Sequence, residues 1–225
     1  SIGLGGTATA LADDASAAFW NPSGISLLQR QELAFSYADR FGLGIENSYA
    51  SYVFPLFERH ALGLDWLREG FSDSELGDVL NVFKVSYGVR LHPSLSLGIG
   101  GKLVSQSIDL NGTSLRSASG YGFDLGLLYD PKFHPFNKLR LGVILQDVTG
   151  TNVRDNNSQI REEIFPQTLR IGAAYKPRED LTLAVDVDDR IHAGAEYQLA
   201  AALILRGGLH RELSSPQGAS SSLAY

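Results

Sequence analysis

The 225-residue chain contains no cysteine and no methionine. The first absence removes disulfides, thiolate metal sites and cysteine nucleophiles together, and leaves the compartment open. The second extends to position 1, where Ser1, Ile2 and Gly3 open the chain, as expected if a signal peptide has been removed or never included. Positive charge is also scarce. Lys and Arg number 19 against 25 Asp and Glu, a net charge of −6, so the chain carries no electrostatic footprint for nucleic acid. No apolar run approaches the roughly 18 residues of a membrane-spanning helix, so if the chain enters a bilayer it must do so as strands. What it has in abundance, 24 glycines, 9 tyrosines and a hydrophobic fraction of 44%, suits that route.

Period two dominates the sequence. In residues 139–146, Leu139, Leu141, Val143 and Leu145 alternate with Arg140, Gly142, Ile144 and Gln146. The same phase recurs in 169–176, 181–188, 191–198 and 203–210, and earlier in 33–37, 49–56, 61–67, 82–91, 95–104 and 121–129. This reading predicts eleven strands, with a twelfth starting near Ser221. The connections alternate in length. Short ones are expected at 57–60, 92–94, 131–138, 176–180 and 199–201, and longer ones at 39–46, 69–78, 111–117 and 149–165, broken by one tight turn at 188–190. Such alternation is expected of a barrel embedded from one side, with short periplasmic turns and long outer loops.

Period two does not say which face meets lipid, because a soluble sandwich or lipocalin-like barrel alternates as well. Geometry favours the inside-out arrangement, since side chains cannot fill a barrel of twelve or more strands and an all-aliphatic lumen would stay empty or wet. Aromatic placement agrees. Tyr129, Tyr175 and Tyr197 end the apolar phase of returning strands, and Tyr37 and Trp66 end that of outgoing ones, as interfacial girdles would. A plain preference of tyrosine for strands is the competing explanation. The expected fold is therefore all-β, a transmembrane antiparallel up-and-down barrel over residues 33–225, with a short plug over residues 1–32.

The leader, GLGGTATALADDASAAFWNPSGIS over residues 3–26, is unlike everything after it. Its core is Ala12-Asp13-Asp14-Ala15-Ser16 followed by Trp20-Asn21-Pro22-Ser23-Gly24. This pattern resembles the N-terminal signature of the FadL and PorV superfamily of outer-membrane proteins, whose usual Asn-Pro-Ala-Gly is altered here at Ser23. The spacing of the two elements, with Phe19 and Trp20 just before the asparagine, is closer to PorV/PorQ-like members than to the fatty-acid transporters. The resemblance implies a fourteen-stranded barrel in the bacterial outer membrane, with lipid or lipopolysaccharide around it and Asp13, Asp14, Trp20, Asn21, Pro22 and Gly24 in a plug or hatch. Eleven or twelve strands fall short of fourteen, so the natural polypeptide is expected to continue past Tyr225, the alternative being another chain on the free edges. Locally, the leader reads as a helix over 8–19 capped by Thr7 and ended where Pro22 forces Asn21 out of the helical region. Gating and mere blocking of the pore both remain open for it.

Chemistry along the strands is thin. Asp65, Arg90, Lys102, Asp124, Arg140, Arg170, Asp186, Glu196 and Arg206 share the lumen phase and form either a polar path or a self-neutralising interior. Asp186, Asp188 and Asp189 lack the glycine and terminal glutamate of a calcium loop, and the five histidines lack zinc spacing, so no metal or cofactor is implied. Ser16 has no nearby histidine and no nucleophile elbow exists, which speaks against an enzyme. Three roles follow. The PorV resemblance implies a non-enzymatic accessory barrel of a type IX-like secretion system with a translocon partner, and this is the main reading. The alternatives are a FadL-like transporter of hydrophobic small molecules and a passive pore. Apolar Phe71, Leu76, Ile160, Ile164 and Phe165 in the outer loops, with lumen-phase Leu128, Ile144 and Ile204, keep transport open. If the tyrosines face lipid, Tyr175→Asp or Tyr197→Asp abolishes most barrel assembly, read as heat-modifiable migration on gels, whereas Arg170→Ala and Glu196→Ala leave it intact. Equal tolerance at all four positions contradicts the assignment of faces.

Overall fold

The computed structural model describes residues 2–40, 44–72, 76–155, 161–200 and 203–213. Ile160 and the expected twelfth strand near Ser221 lie outside the described residues. Thirteen strands form one antiparallel sheet: β1 (Glu32–Arg40), β2 (Ile45–Phe57), β3 (His60–Ser72), β4 (Leu76–His92), β5 (Leu95–Leu110), β6 (Thr113–Tyr129), β7 (Leu139–Gln146), β8 (Thr151–Asp155), β9 (Arg161–Phe165), β10 (Thr168–Arg178), β11 (Leu181–Val187), β12 (Arg190–Ala200) and β13 (Leu203–Glu212). Each of the eleven strands expected between residues 33 and 210 is present, and the apolar phase faces outward. Leu64, Phe83, Val85, Ile99, Leu103, Tyr121, Phe123, Ile171 and Val185 are exposed, while Ser51, Asp65, Lys84, Ser86, Asp124 and Asp186 on the opposite face are buried.

Thirteen segments make eleven wall crossings, because two crossings are broken. β7 pairs with β6 as far as Leu145 opposite Leu125, and β8 resumes beside β6 at Val153 opposite Gly120. Between them the chain turns inward, with Asp147 and Gly150 in the left-handed region at φ of 52° and 65°. The returning crossing is β9 followed by β10, interrupted at Pro166, which has no N–H to give to a ladder. The long outer loop expected over 149–165 therefore contains two short strands.

The loop expected over 111–117 is likewise a two-residue turn. Asn111 and Gly112 have φ of 49° and 72°, the mirror-image turn geometry that matches strand twist. Strands β4 and β6 have 17 residues each, well beyond the roughly 9 to 11 needed to cross hydrocarbon. Their surplus lies at the rim away from the short turns. On β6 the residues there, Thr113, Ser114, Arg116 and Ser117 with only Leu115 apolar, give no apolar face, which is why the sequence reads as loop.

Inside the sheet runs the leader. Its only α-helix is the single turn α1 (Ala17–Trp20), so the helix expected over 8–19 is not formed. The backbone is committed elsewhere: the carbonyls of Thr9, Ala15 and Ala18 accept from Asn21, Ser51 and Ser86 at 2.8, 2.7 and 2.9 Å, and the amides of Ala8 and Thr9 donate to Asp186 Oδ2 at 2.9 Å. Asn21 is extended, at φ −152° and ψ 100°, as its position before Pro22 requires.

The leader lies so close to the wall that a row of inward positions must be glycine. A Cβ at Gly98 would strike Pro22 and Ser23, one at Gly126 the Asn21 amide, one at Gly142 the Thr9 backbone, and one at Gly208 the backbone of Leu4 and Gly5. Gly88, Gly98 and Gly126 are paired neighbours across β4, β5 and β6, as are Gly142 with Gly172 and Gly194 with Gly208. Because one short leader touches strands from β2 round to β13, the sheet has to curl about it. The curl stops short of closure, with β1 and β13 ending the strand order unpaired to each other among the described residues. Gly126→Val is expected to cost about 1 to 3 kcal/mol through overpacking. The measurement is limited proteolysis, in which residues 2–31 become cleavable while the strands stay resistant.

Candidate functional site

On β4, β5 and β6 the inward residues form successive rungs from the short-turn rim outward: Gly88–Gly98–Gly126, then Ser86–Gly100–Asp124, then Lys84–Lys102–Gly122, then Val82–Val104–Gly120. The lumen is layered accordingly.

The first layer is the leader itself. Asn21 is completely buried and anchors it. Its amide nitrogen donates to the Thr9 carbonyl at 2.8 Å and its Oδ1 accepts from the Ser23 hydroxyl at 2.6 Å and the Ser23 amide at 3.2 Å. Ser51 and Ser86 donate from the wall to the carbonyls of Ala15 and Ala18 at 2.7 and 2.9 Å. Pro22 and Gly24 pack tightly in this layer, a Cβ at Gly24 being barred by the Ala12 backbone. At the far end of the leader the Gly5 carbonyl accepts from His192 Nδ1 at 2.8 Å and the Gly6 carbonyl from Arg170 at 3.3 Å. Arg170 and His192 share Asp188 in the hairpin turn. Burial opposes ionisation of Asp188, but the Arg190 amide and the Arg170 guanidinium hold its carboxyl below the usual carboxylate range.

The second layer is ionic and buried. Lys84 and Asp124 have side chains 2% and 1% exposed and meet at 2.5 Å. Lys102 reaches Asp124 at 3.2 Å and Asp147 at 2.7 Å. Asp147, at the break between β7 and β8, also gives its amide to Asp124 Oδ1 at 2.9 Å and accepts from the Thr151 hydroxyl. Two lysines on paired positions of neighbouring strands repel, so this rung exists because two carboxylates face it. Nearby, Asp65 accepts from the Tyr49 hydroxyl at 2.7 Å, and its second oxygen is buried without a partner.

The third layer is apolar. Val82, Val104, Ala118 and Val153 are buried in the lumen, with Leu67, Leu80, Ile164 and Phe165 packed against them. Ile164 and Phe165 come from β9, the segment expected as loop. Beside this chamber, a cleft of about 730 Å³ opens at the break in the wall, lined by Leu103, Val104, Gly120, Tyr121, Thr149 and Gly150. Leu103 and Tyr121 belong to the exposed outward face and Val104 to the lumen, so the cleft meets both sides of the wall where the ladder between β6 and β7 lapses.

The expected site residues separate into groups. Asp13, Asp14, Trp20, Glu196 and Arg206 line one cavity of about 240 Å³ between the leader and the wall. Asp13 pairs with Arg140 at 3.3 Å, and Arg140 with Asp130 at 2.7 Å; Asp14 accepts from the Ser16 amide and hydroxyl at 2.9 and 2.6 Å. Arg206 pairs with Glu196 at 2.7 Å. Arg90 turns back on the Pro93 carbonyl at its own hairpin, away from the other charges. Tyr37, Trp66, Tyr129, Tyr175 and Tyr197 carry no part of the lumen, and Trp66 stacks on outward Phe83. Sequence reading missed Lys84 and Asp147. Lys84 was legible, a lysine in the inward phase between Phe83 and Val85. Asp147 was not, because it follows the end of β7.

No protein-family model matches the sequence, and no curated protein matches it significantly. Solved structures do match. The CymD monoaromatic hydrocarbon channel aligns with a TM-score of 0.71 at 17% identity, over 96% of this chain and 84% of that one. A FadL homologue of Pseudomonas aeruginosa gives 0.67 at 12%, over 97% and 80%. The toluene transporter TodX of Pseudomonas putida gives 0.65 at 13%, over 92% and 81%. The chain thus has the plugged antiparallel barrel fold of FadL-type channels, and at these identities the likeness concerns the fold alone. Asn21→Ala should release the leader's central anchor at a cost of about 1 to 3 kcal/mol, since it strands the buried Ser23 hydroxyl and Thr9 carbonyl. A lowered thermal midpoint with unchanged strand content checks it.

Proposed function

We propose that the protein is a non-enzymatic channel of the bacterial outer membrane for uncharged hydrophobic small molecules. The observation that carries this reading is the apolar chamber of Val82, Val104, Ala118 and Val153 standing beside a break in the wall. A passive aqueous pore needs a polar lumen, and an apolar patch inside one costs hydration without benefit. A hydrophobic solute gains by entering such a chamber, and the adjoining cleft offers it a route to the membrane without crossing the leader. The fold shared with hydrocarbon channels supports the same reading. Charge is compatible with the uncharged class: below the chamber Lys84 and Lys102 are each matched by a carboxylate, while Arg154 stands at the mouth of the cleft. In this proposal the exposed aliphatic face meets lipid, and Tyr129, Tyr175 and Tyr197 form the girdle at the short-turn rim.

Transport thereby replaces the secretion role as the main reading. CymD is a monoaromatic hydrocarbon channel and TodX a toluene transporter, whereas the export role rested on the spacing of the leader's two elements alone. Uptake of radiolabelled toluene by cells that express the protein and lack other channels of this fold tests the proposal. Val104→Thr keeps the volume and adds one hydroxyl, so a penalty of about 1 to 2 kcal/mol, roughly tenfold slower uptake, is expected with assembly unchanged. Uptake equal with and without the protein overturns the channel reading.

A further inference from the structure

The outward face changes character between two neighbouring rows. From β3 to β6 the outward positions Trp66, Phe83, Leu103 and Tyr121 are paired neighbours and make an apolar row. Two residues further from the short turns, the paired row is Arg68, Asn81, Ser105 and Ser119, and β8 extends it with Arg154 opposite Ser119. This second row has a cation at each end, amide and hydroxyl groups between them, and no carboxylate. Trp66 marks the boundary, because its ring stacks on Phe83 while its Nε1 donates to Asn81 Oδ1 at 3.3 Å. Neither Arg68 nor Arg154 makes an ion pair among the described residues. Arg140, Arg170, Arg190 and Arg206 elsewhere in the wall each have one.

The height of the boundary follows from β6, where Ser119 stands ten residues before Tyr129, the end of the strand at the short-turn rim. Ten residues are about 33 Å of strand, or roughly 25 Å of height at a tilt of about 40°, which is the height of the apolar band of an outer-membrane barrel. The cleft of about 730 Å³ crosses the same boundary, with Phe83, Leu103 and Tyr121 on its apolar side and Ser105, Ser119 and Arg154 on its polar side.

We propose that this face binds the phosphorylated, acylated sugar of an outer-leaflet glycolipid, the lipid A part of lipopolysaccharide. Its acyl chains lie on Phe83, Leu103 and Tyr121, and its phosphates meet Arg68 and Arg154. The two arginines are four strand spacings apart, roughly 19 Å, a span suited to two phosphates with a sugar backbone between them. Each guanidinium offers a phosphate parallel N–H donors. Asn81, Ser105 and Ser119 supply the hydrogen-bonding groups that a hydroxylated sugar needs. A glycerophospholipid, with one phosphate and no sugar, satisfies only one end of the row. The site rests on the outer-membrane part of the channel proposal and not on transport, so lipid binding and toluene uptake can fail separately.

Native mass spectrometry of the detergent-purified protein, titrated with bisphosphorylated lipid A, reads both stoichiometry and apparent affinity. One lipid A per chain is expected, and Arg154→Gln and Arg68→Gln should each weaken binding at least tenfold. Monophosphorylated lipid A should bind the unsubstituted protein at least tenfold more weakly than the bisphosphorylated form. Arg211→Gln, which removes an exposed arginine of β13 away from this row, should leave binding unchanged. Full binding by Arg154→Gln, an equal loss in Arg211→Gln, or equal affinity for phosphatidylglycerol overturns the proposal. Arg154 is exposed, so its replacement spares assembly. Should Arg68→Gln fail to assemble, Arg154→Gln and the monophosphorylated lipid decide.

Discussion

Everything in the lumen depends on one close approach, that of the leader's backbone to the backbones of the strands. Peptide groups can lie this near to a sheet only where the sheet presents hydrogen in place of a side chain, and the wall supplies Gly88, Gly98, Gly126, Gly142, Gly172, Gly194 and Gly208 at the required height. The contact is also a hydrogen-bonding arrangement. Wall side chains such as Ser51, Ser86 and Asp186 satisfy leader groups that a helix would otherwise have paired internally. A small-residue leader and a glycine-bearing wall are thus two halves of one constraint.

The layers above the leader follow from it. Once its carbonyls face outward along the lumen, the first wall residue above them is a donor, Lys84, and a buried ammonium demands a carboxylate, which Asp124 provides. A second lysine on the adjacent strand demands a second carboxylate, and Asp147 comes from the break in β7 and β8. Beyond the ions, Val82, Val104 and Val153 make one apolar level, and polar groups return on the next rung out, where Gln106 donates to Asp78 at 3.0 Å.

Much of this was legible in the sequence, and what was not has identifiable causes. The inward phase of Asp65, Asp124, Arg140 and Asp186 could be read by alternation, and their burial agrees. The single-turn α1 defeated the helix expected between a Thr7 cap and Pro22, because leader carbonyls such as those of Thr9 and Ala15 are taken by the Asn21 and Ser51 side chains. Residues 111–117 were read as loop because Asn111, Thr113, Ser114, Arg116 and Ser117 leave no apolar phase, and residues 149–165 because β8 and β9 have only five residues each, too few to show a period. Arg90 shows the opposite error: its phase is inward, but it lies at the rim, where the nearest acceptor is the Pro93 carbonyl of its own turn.

The sequence by itself determined the class of fold, the eleven wall crossings of the described residues and the face each strand turns outward, since all of these depend on local period. Only the tertiary structure decided which glycines meet the leader, which lysine meets which aspartate, and that the wall breaks beside an apolar chamber. Those outcomes depend on register between strands far apart in the chain, where a shift by two residues preserves every alternation and changes every partner.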